Sequence, residues 1–405
     1  MMSDGRTATI LCLASEFKGV PFIEEAHRLG CRILLITAEK CAESPWPWAA
    51  IAEHFRMPDL HTQPNITYAV SYIARSNKID RVVALDDYDV ATAAALREHM
   101  RLSGMNESTA RHFRDKLAMR ARARAGDIRV PEFAGIFNYD DLRTFMAHVA
   151  APWVLKPRFE AGAVGIRKMH DSEMVWRALD ELGDQQSYYL LEQVLPGDVY
   201  HVDSIVWQQT PLFALASRYG APPLTVTQQG GIFNSRTLPA EAEETQALLR
   251  LNATLVTTFG HRQGVAHTEF IRAAADGEFY FLETAARVGG ANIDRMVKAA
   301  SGIELWAEAA RIEVAVARGE SYSLPDHRQE HAGIIICLAQ QETPDLSRFD
   351  DDEIVWRLDK PYHAGLLVAS AGAGRVEELL QDYNRRFASD FMTHAPNQKQ
   401  ARTTF

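Results

Sequence analysis

The segments "HTEFI" (267–271) and "FLETAARVGG" (281–290) bracket the turn signal "AADG" and hold the residues best suited to chemistry. A loop made of Ala275, Asp276 and Gly277 would pair Ala274 with Glu278. Counting outward then sets Glu269 opposite Glu283 on one sheet face, with Cβ atoms ~5 Å apart. Two carboxylates so placed repel, so a positive charge must lie between them or one must carry a proton. A divalent cation meets that need, and hard carboxylate oxygens without nearby His or Cys pairs favour Mg²⁺ over zinc, with Mn²⁺ as a substitute. A two-residue loop would instead put the acids on opposite faces. Spacing alone also leaves open two independent surface acids on an amphipathic hairpin. His267 shares the strand face of Glu269, where it can orient a substrate, shuttle a proton or serve as a satisfied structural histidine. Arg287 offers a planar, permanently charged fork for oxyanions. Gly289 and Gly290 let the backbone approach a ligand without a Cβ in the way.

Lys156 ends the apolar run "WVLK" and opens "PRFEAGAVG", which contains Gly162 and Gly165. A lysine beside a glycine loop can reach a phosphate while loop N–H groups help cover it; the alternative is an ordinary snorkelling lysine. Lys116, Arg120 and Arg124 recur every four residues and share one helix face, for which a solvated charged face is the default explanation. Asp86 and Asp87 follow the strand "RVVAL", where open α/β sheets place ligand loops and where helix caps also occur.

These residues need elements to hold them. Residues 7 to 100 alternate β-branched runs with helical patterns, which predicts βαβ units and a parallel sheet. The loop after the first strand lacks GxGxxG, which argues against a dinucleotide site. A compact α+β block follows to about residue 190, then mixed strands and helices to 330. Beyond it come three short strands and a helix that read as a small appended α+β domain. The expected units are 1–105, 106–190, 191–330 and 331–405. The tail "APNQKQARTTF" is polar and reads as frayed.

Taken in order, "DKLAMR", "VLKPRFEAGAVGI", "LEQVLPGD", "HTEF" and "FLETAARVGG" resemble the ATP-grasp superfamily over residues 1 to 330. Each piece is weak alone, and the five in sequence are specific. The resemblance implies an ATP-grasp fold with an N-terminal Rossmann-like, pre-ATP-grasp domain. It implies that Lys116 and Lys156 hold ATP phosphates and that residues 158–165 close over them. Glu192, by side chain or carbonyl, together with Gln193 and the Val194 N–H, would hold adenine, and Asp198 would hold ribose in place of the usual Glu. Glu269 and Glu283 would be the Mg²⁺ ligands. Many members read Glu-x-Asn at the second metal position, whereas Ala285 here has no oxygen; Asn292 either substitutes or caps the next helix. "HTE" followed by "ETAARVGG" is similar to the amino-acid ligases that make dipeptides. The resemblance therefore implies an ADP-forming ligase joining a small carboxylate to an amine, both from amino acids. Its rivals are a carboxylase, a ligase with a thiol acceptor, and a non-catalytic nucleotide-binding protein.

The totals agree with a soluble globular protein of two to four packed units: 405 residues, 47% apolar and 24% charged. With 43 basic against 53 acidic residues the formal charge is −10, which disfavours nucleic acid and anionic membrane as partners. Four scattered cysteines suggest neither a zinc knuckle nor a disulfide framework. The first apolar run is too short and too poor in flanking cations for a secretory segment, and no run is long enough to cross a bilayer. A cytoplasmic location and a homodimer are the corresponding expectations.

Overall fold

The computed structural model describes residues 7–393 other than Ala163. The tail expected to fray lies outside the described residues. The first unit is a parallel sheet, as the βαβ pattern predicts. Its strands β1 (Thr9–Ala14), β2 (Arg32–Ala38), β3 (Glu53–Met57) and β4 (Arg81–Ala84) run in the order β3-β2-β1-β4. Helices α1 (Val20–Arg28), α2 (Asn65–Ile73) and α3 (Val90–His99) accompany it. β1 is buried along its whole length, the pattern of a strand covered on both faces.

The basic stretch from Asn106 splits into α4 (Glu107–Arg111) and α5 (Lys116–Ala125). Asp115 makes the break: its carboxylate accepts the N–H groups of Leu117 and Ala118 as the cap of α5. The small lobe then folds as β5 (Phe133–Gly135), α6 (Tyr139–His148), β6 (Trp153–Pro157), β7 (Arg167–Met169), α7 (Ser172–Leu182) and β8 (Tyr189–Gln193). Its four strands form an antiparallel sheet in the order β5-β8-β6-β7.

The third sheet has eight strands. β9 (Gly197–Trp207), β10 (Thr210–Tyr219), β11 (Phe233–Thr237), β12 (Gln263–Ala273) and β13 (Phe279–Ala285) are joined by β14 (His331–Leu338), β15 (Ile354–Arg357) and β16 (His363–Ser370). The order is β13-β12-β9-β10-β11-β14-β16-β15. The strands after residue 331 thus extend the main sheet through β11 and β14 rather than making a sheet of their own, because Phe233 to Arg236 pair with Gly333 to Ile336. Helices α8 (Pro223–Gln229), α9 (Glu243–Phe259), α10 (Ile293–Ser301), α11 (Leu305–Arg318) and α12 (Ala373–Asp390) follow among the described residues. α11 ties the sheets together, since Ala310 and Val314 enter the core of the parallel sheet while Ile312 and Ala315 enter that of the large one. Among the described residues no helix is long and apolar enough to cross a membrane.

Candidate active site

Glu269 and Glu283 are opposite each other in the β12 and β13 register, as expected. The turn that delivers them is not the expected one. Ala273 N–H donates to the Glu278 carbonyl and Gly277 N–H to the Ala273 carbonyl, both at 2.9 Å, so the loop has four residues and Ala274 is not paired with Glu278. Left uncorrected, that register would put the two acids on opposite faces. A β-bulge corrects it: Phe270 pairs with Phe281 and Glu269 with Glu283, leaving Leu282 as the extra residue. Arg120 donates to the freed Leu282 carbonyl, pinning the bulge from α5.

Around this pair lie the cations. Lys116 Nζ is 3.0 Å from Glu283 Oε2 and 2.5 Å from the Glu160 carbonyl. Burial would raise the pKa of Glu283, but the charge and hydrogen bond of Lys116, with Lys156 and Arg120 behind it, hold it down to about 2. The helix face of Lys116 and Arg120 is therefore no solvated surface; both side chains are buried. Glu192 corrects another expectation. Its carboxylate is buried between Arg120, with Nε at 2.7 Å, and Lys156, so the side chain is not available to adenine. Burial depresses the Lys156 ammonium, Glu192 opposes that, and Arg120 adds to it. Val194 N–H already makes a long contact of 3.3 Å with the Pro152 carbonyl, and Gln193 N–H donates to the Glu132 carbonyl at 2.8 Å. Gly162 and Gly165 adopt φ of 65° and 70°, conformations that favour glycine. The loop 158–165 to which they belong includes Ala163, outside the described residues.

Asp198 is set apart from the acids. Strand alternation puts it on the face of β9 opposite His201 and Asp203, whose partners across the strand are Glu269 and His267. Its carboxylate pairs with Arg218 at 2.8 Å and is largely exposed.

On the other side of the hairpin, His267 Nδ1 is 2.9 Å from Asp203 Oδ1, and its Nε2 lies 3.5 Å from Glu269 Oε1 and 3.4 Å from the Tyr219 hydroxyl. Tyr219 donates to Glu269 at 2.8 Å. His201 Nδ1 is 2.7 Å from Asp203 Oδ2 and its Nε2 is 2.7 Å from Ser235. His201, Asp203 and His267 are close enough to surround an ion, but their ring nitrogens are spent on this hydrogen-bonded chain, which makes it a support for Glu269. A Cβ on Gly289 would come within 2.9 Å of Asp203 and 3.0 Å of His267, so this glycine is required by a close approach to the chain. "VYHVDSIVW" carried the signal for His201 and Asp203: a His and an Asp spaced by two in a largely apolar strand mark a buried polar face.

Arg287 lies at the boundary with the parallel sheet. Its Nη1 donates to the Val288 carbonyl at 2.9 Å and its Nε is 3.6 Å from Asp87 Oδ1, beyond hydrogen-bond range. Asp87 also pairs with Arg114, so it is neither a cap nor an open ligand loop. Asp86 instead accepts the N–H groups of Ser15 and Glu16 at 2.9 Å, fastening the loop after β1.

The donor set fits a divalent ion. Two facing carboxylates keep partial exposure, 16% for Glu269 and 36% for Glu283, and each has one oxygen outside the contacts just described. Asn292 sits at the start of α10 with φ 57° and makes no side-chain cap, leaving its amide unspent there.

The parallel sheet, the small antiparallel lobe and the large sheet with its acid pair are the parts of an ATP-grasp fold. Residues 23–104 match the ATP-grasp N-terminal domain family. The chain is similar to an L-arginine-specific L-amino acid ligase of Bacillus subtilis, 26% identical over 250 residues that make up 60% of this chain and 59% of that protein. The crystal structure of an L-amino acid ligase from Bacillus licheniformis superposes with a TM-score of 0.75 at 20% identity, covering 97% of this chain and 100% of that one. An N5-carboxyaminoimidazole synthetase from Staphylococcus aureus complexed with ADP gives 0.70 at 13% identity, covering 94% and 98%.

Proposed function

We propose that the chain is an ATP-dependent ligase that activates the carboxylate of one amino acid as an acyl phosphate and joins it to the amine of another. The facing of Glu269 and Glu283 across the bulge, with Lys116 against Glu283 and Lys156 and Arg120 behind it, carries this reading. The similarity to two amino-acid ligases supports its choice of substrates. Glu269 and Glu283 would hold Mg²⁺, which supplies charge neutralisation of the triphosphate when bound.

Lys116 and Lys156 take the phosphate oxygens, exchanging part of their pairing with Glu283 and Glu192 for the nucleotide. The Val194 N–H gives up its long contact to Pro152 for a ring nitrogen of adenine. The donor carboxylate attacks the γ-phosphorus and ADP leaves; the amine then attacks the acyl carbon, and phosphate departs. Arg287 stabilises the oxyanions of both steps. His267 orients rather than shuttles, because Asp203 and Glu269 flank its two ring nitrogens. A cytoplasmic, homodimeric enzyme with the loop 158–165 closing over ATP completes the reading.

Phosphate release with Mg·ATP across amino acids, offered singly and in pairs, tests it. Release that needs two amino acids is the expected result. Release that needs bicarbonate would make the chain a carboxylase, and silence throughout would leave a nucleotide-binding protein.

A further inference from the structure

A cavity of about 100 Å³ lies behind Arg287, between α3 and β4 of the parallel sheet and the start of β12 with α11. On the same measure one water needs about 10–15 Å³, so the space takes several waters or a small molecule, and it is too small for a nucleotide. Its walls are unusual in charge. Arg81, Arg97 and Arg287 line it against a single carboxylate, Glu313. Glu313 is taken by Arg81 at 2.6 Å. Arg97 has no ion pair among the described residues; it donates only to the carbonyls of Met105 at 3.0 Å and Val82 at 2.8 Å. Burial lowers the pKa of Arg97 to about 10, Glu313 opposing and Arg81 adding to the effect.

His261 also lines the cavity. It is 2% exposed, and neither ring nitrogen has a well-formed hydrogen bond among the described residues, its polar contact being with the Val265 backbone. Arg287 Nε is likewise buried without a hydrogen bond. A buried imidazole without a side-chain partner and an excess of guanidinium over carboxylate, with Arg97 unpaired and Asp87 no nearer than 3.6 Å to Arg287 Nε, both cost free energy. One occupant relieves both costs: a small anion whose oxygens accept from the planar guanidinium groups and from the imidazole.

We propose that this cavity is a binding site for a small oxyanion of the size of acetate or phosphate, separate from the nucleotide and metal site and sharing Arg287 with it. A carboxylate metabolite and inorganic phosphate share that chemistry, and they are separated by titrating each alone.

The test uses the full chain without nucleotide or metal, titrated by calorimetry with inorganic phosphate and, separately, with acetate. Trp306, a wall residue, serves as a fluorescent reporter. The expected result is saturable binding of at least one anion with a change in Trp306 emission, a signal lost in Trp306→Phe. Arg97→Gln should weaken that binding by about tenfold or more, as loss of a charge-assisted contact does. Arg97→Lys, which keeps the charge and is the safer variant for folding, should weaken it by about threefold. Lys156→Ala controls for phosphate held at the nucleotide site and should leave the cavity signal in place. The proposal is overturned if neither anion binds the wild-type chain. It is equally overturned if binding survives both Arg97 variants unchanged or disappears with Lys156→Ala alone.

Discussion

His261 and His267 stand close together in the chain, one just before β12 and one within it, and both are buried. Their charges are opposite in tendency. For His267, burial pulls the pKa down, but the charge and hydrogen bond of Asp203, with Glu269 behind them, lift it to about 9. For His261, burial pushes the pKa down to about 4, with only the Val265 backbone in opposition. Burial alone therefore decides neither charge; the presence of a carboxylate partner does. The partnered histidine belongs to the hydrogen-bonded chain that supports Glu269, and the other faces a cavity rich in cations.

The largest effect should come from breaking the partnered side. Asp203→Asn leaves two buried imidazoles without their shared carboxylate and should cost about 3–5 kcal/mol of stability, read from denaturant midpoints. A loss below about 1 kcal/mol would mean the chain from Ser235 to Glu269 is not cooperative. Next is Glu283→Gln, which keeps the shape and removes the charge facing Glu269. Turnover should fall by about 10²–10³, the range for losing one electrostatic stabiliser, with the fold intact by circular dichroism. An unchanged rate would remove Glu283 from the chemistry.

The unpartnered side is tested by pH. The folded pKa of His261 lies below the unfolded value of about 6.5, so the unfolded chain takes up a proton that the folded chain refuses. This residue thus subtracts nothing above that value, and it subtracts stability progressively as pH falls from about 6.5 to about 4. His261→Phe should remove a penalty on the order of 2–3 kcal/mol at the acid end, so its denaturation midpoint should gain on the wild type as pH falls. A gap that stays constant with pH would contradict the assignment. The smallest effect is Tyr219→Phe, which deletes one hydrogen bond to Glu269 and should cost about 1 kcal/mol, read by thermal unfolding.

The sequence made much of this legible. Alternating β and α patterns before residue 100 marked the parallel sheet, and the five ordered segments marked the lobes that follow. The facing of the two glutamates was also legible, but for a reason that was only half right. A loop one residue longer than expected and a bulge at Leu282 offset each other, and turn composition reports neither, because the bulge is fixed from a distance by Arg120. Long-range partners explain the other gaps. Nothing local to "LEQV" says that Glu192 is claimed by Arg120 and Lys156, since those contacts span 72 and 36 residues. Nor does "AGIIICLA" say that its strand will find β11 rather than remain in its own sheet. The polar residues of "VYHVDSIVW" could have been read from alternation, since a buried strand rarely spends two inward positions on His and Asp without a purpose.

The proposed function requires one divalent ion between Glu269 and Glu283, beneath the triphosphate. Crystals grown with Mn²⁺ and a non-hydrolysable ATP analogue, measured at the manganese absorption edge, address it directly. An anomalous peak between the two carboxylates, with Lys116 and Lys156 on the phosphates, is the expected result. An ion bound elsewhere, with the two glutamates turned away from each other, would contradict it.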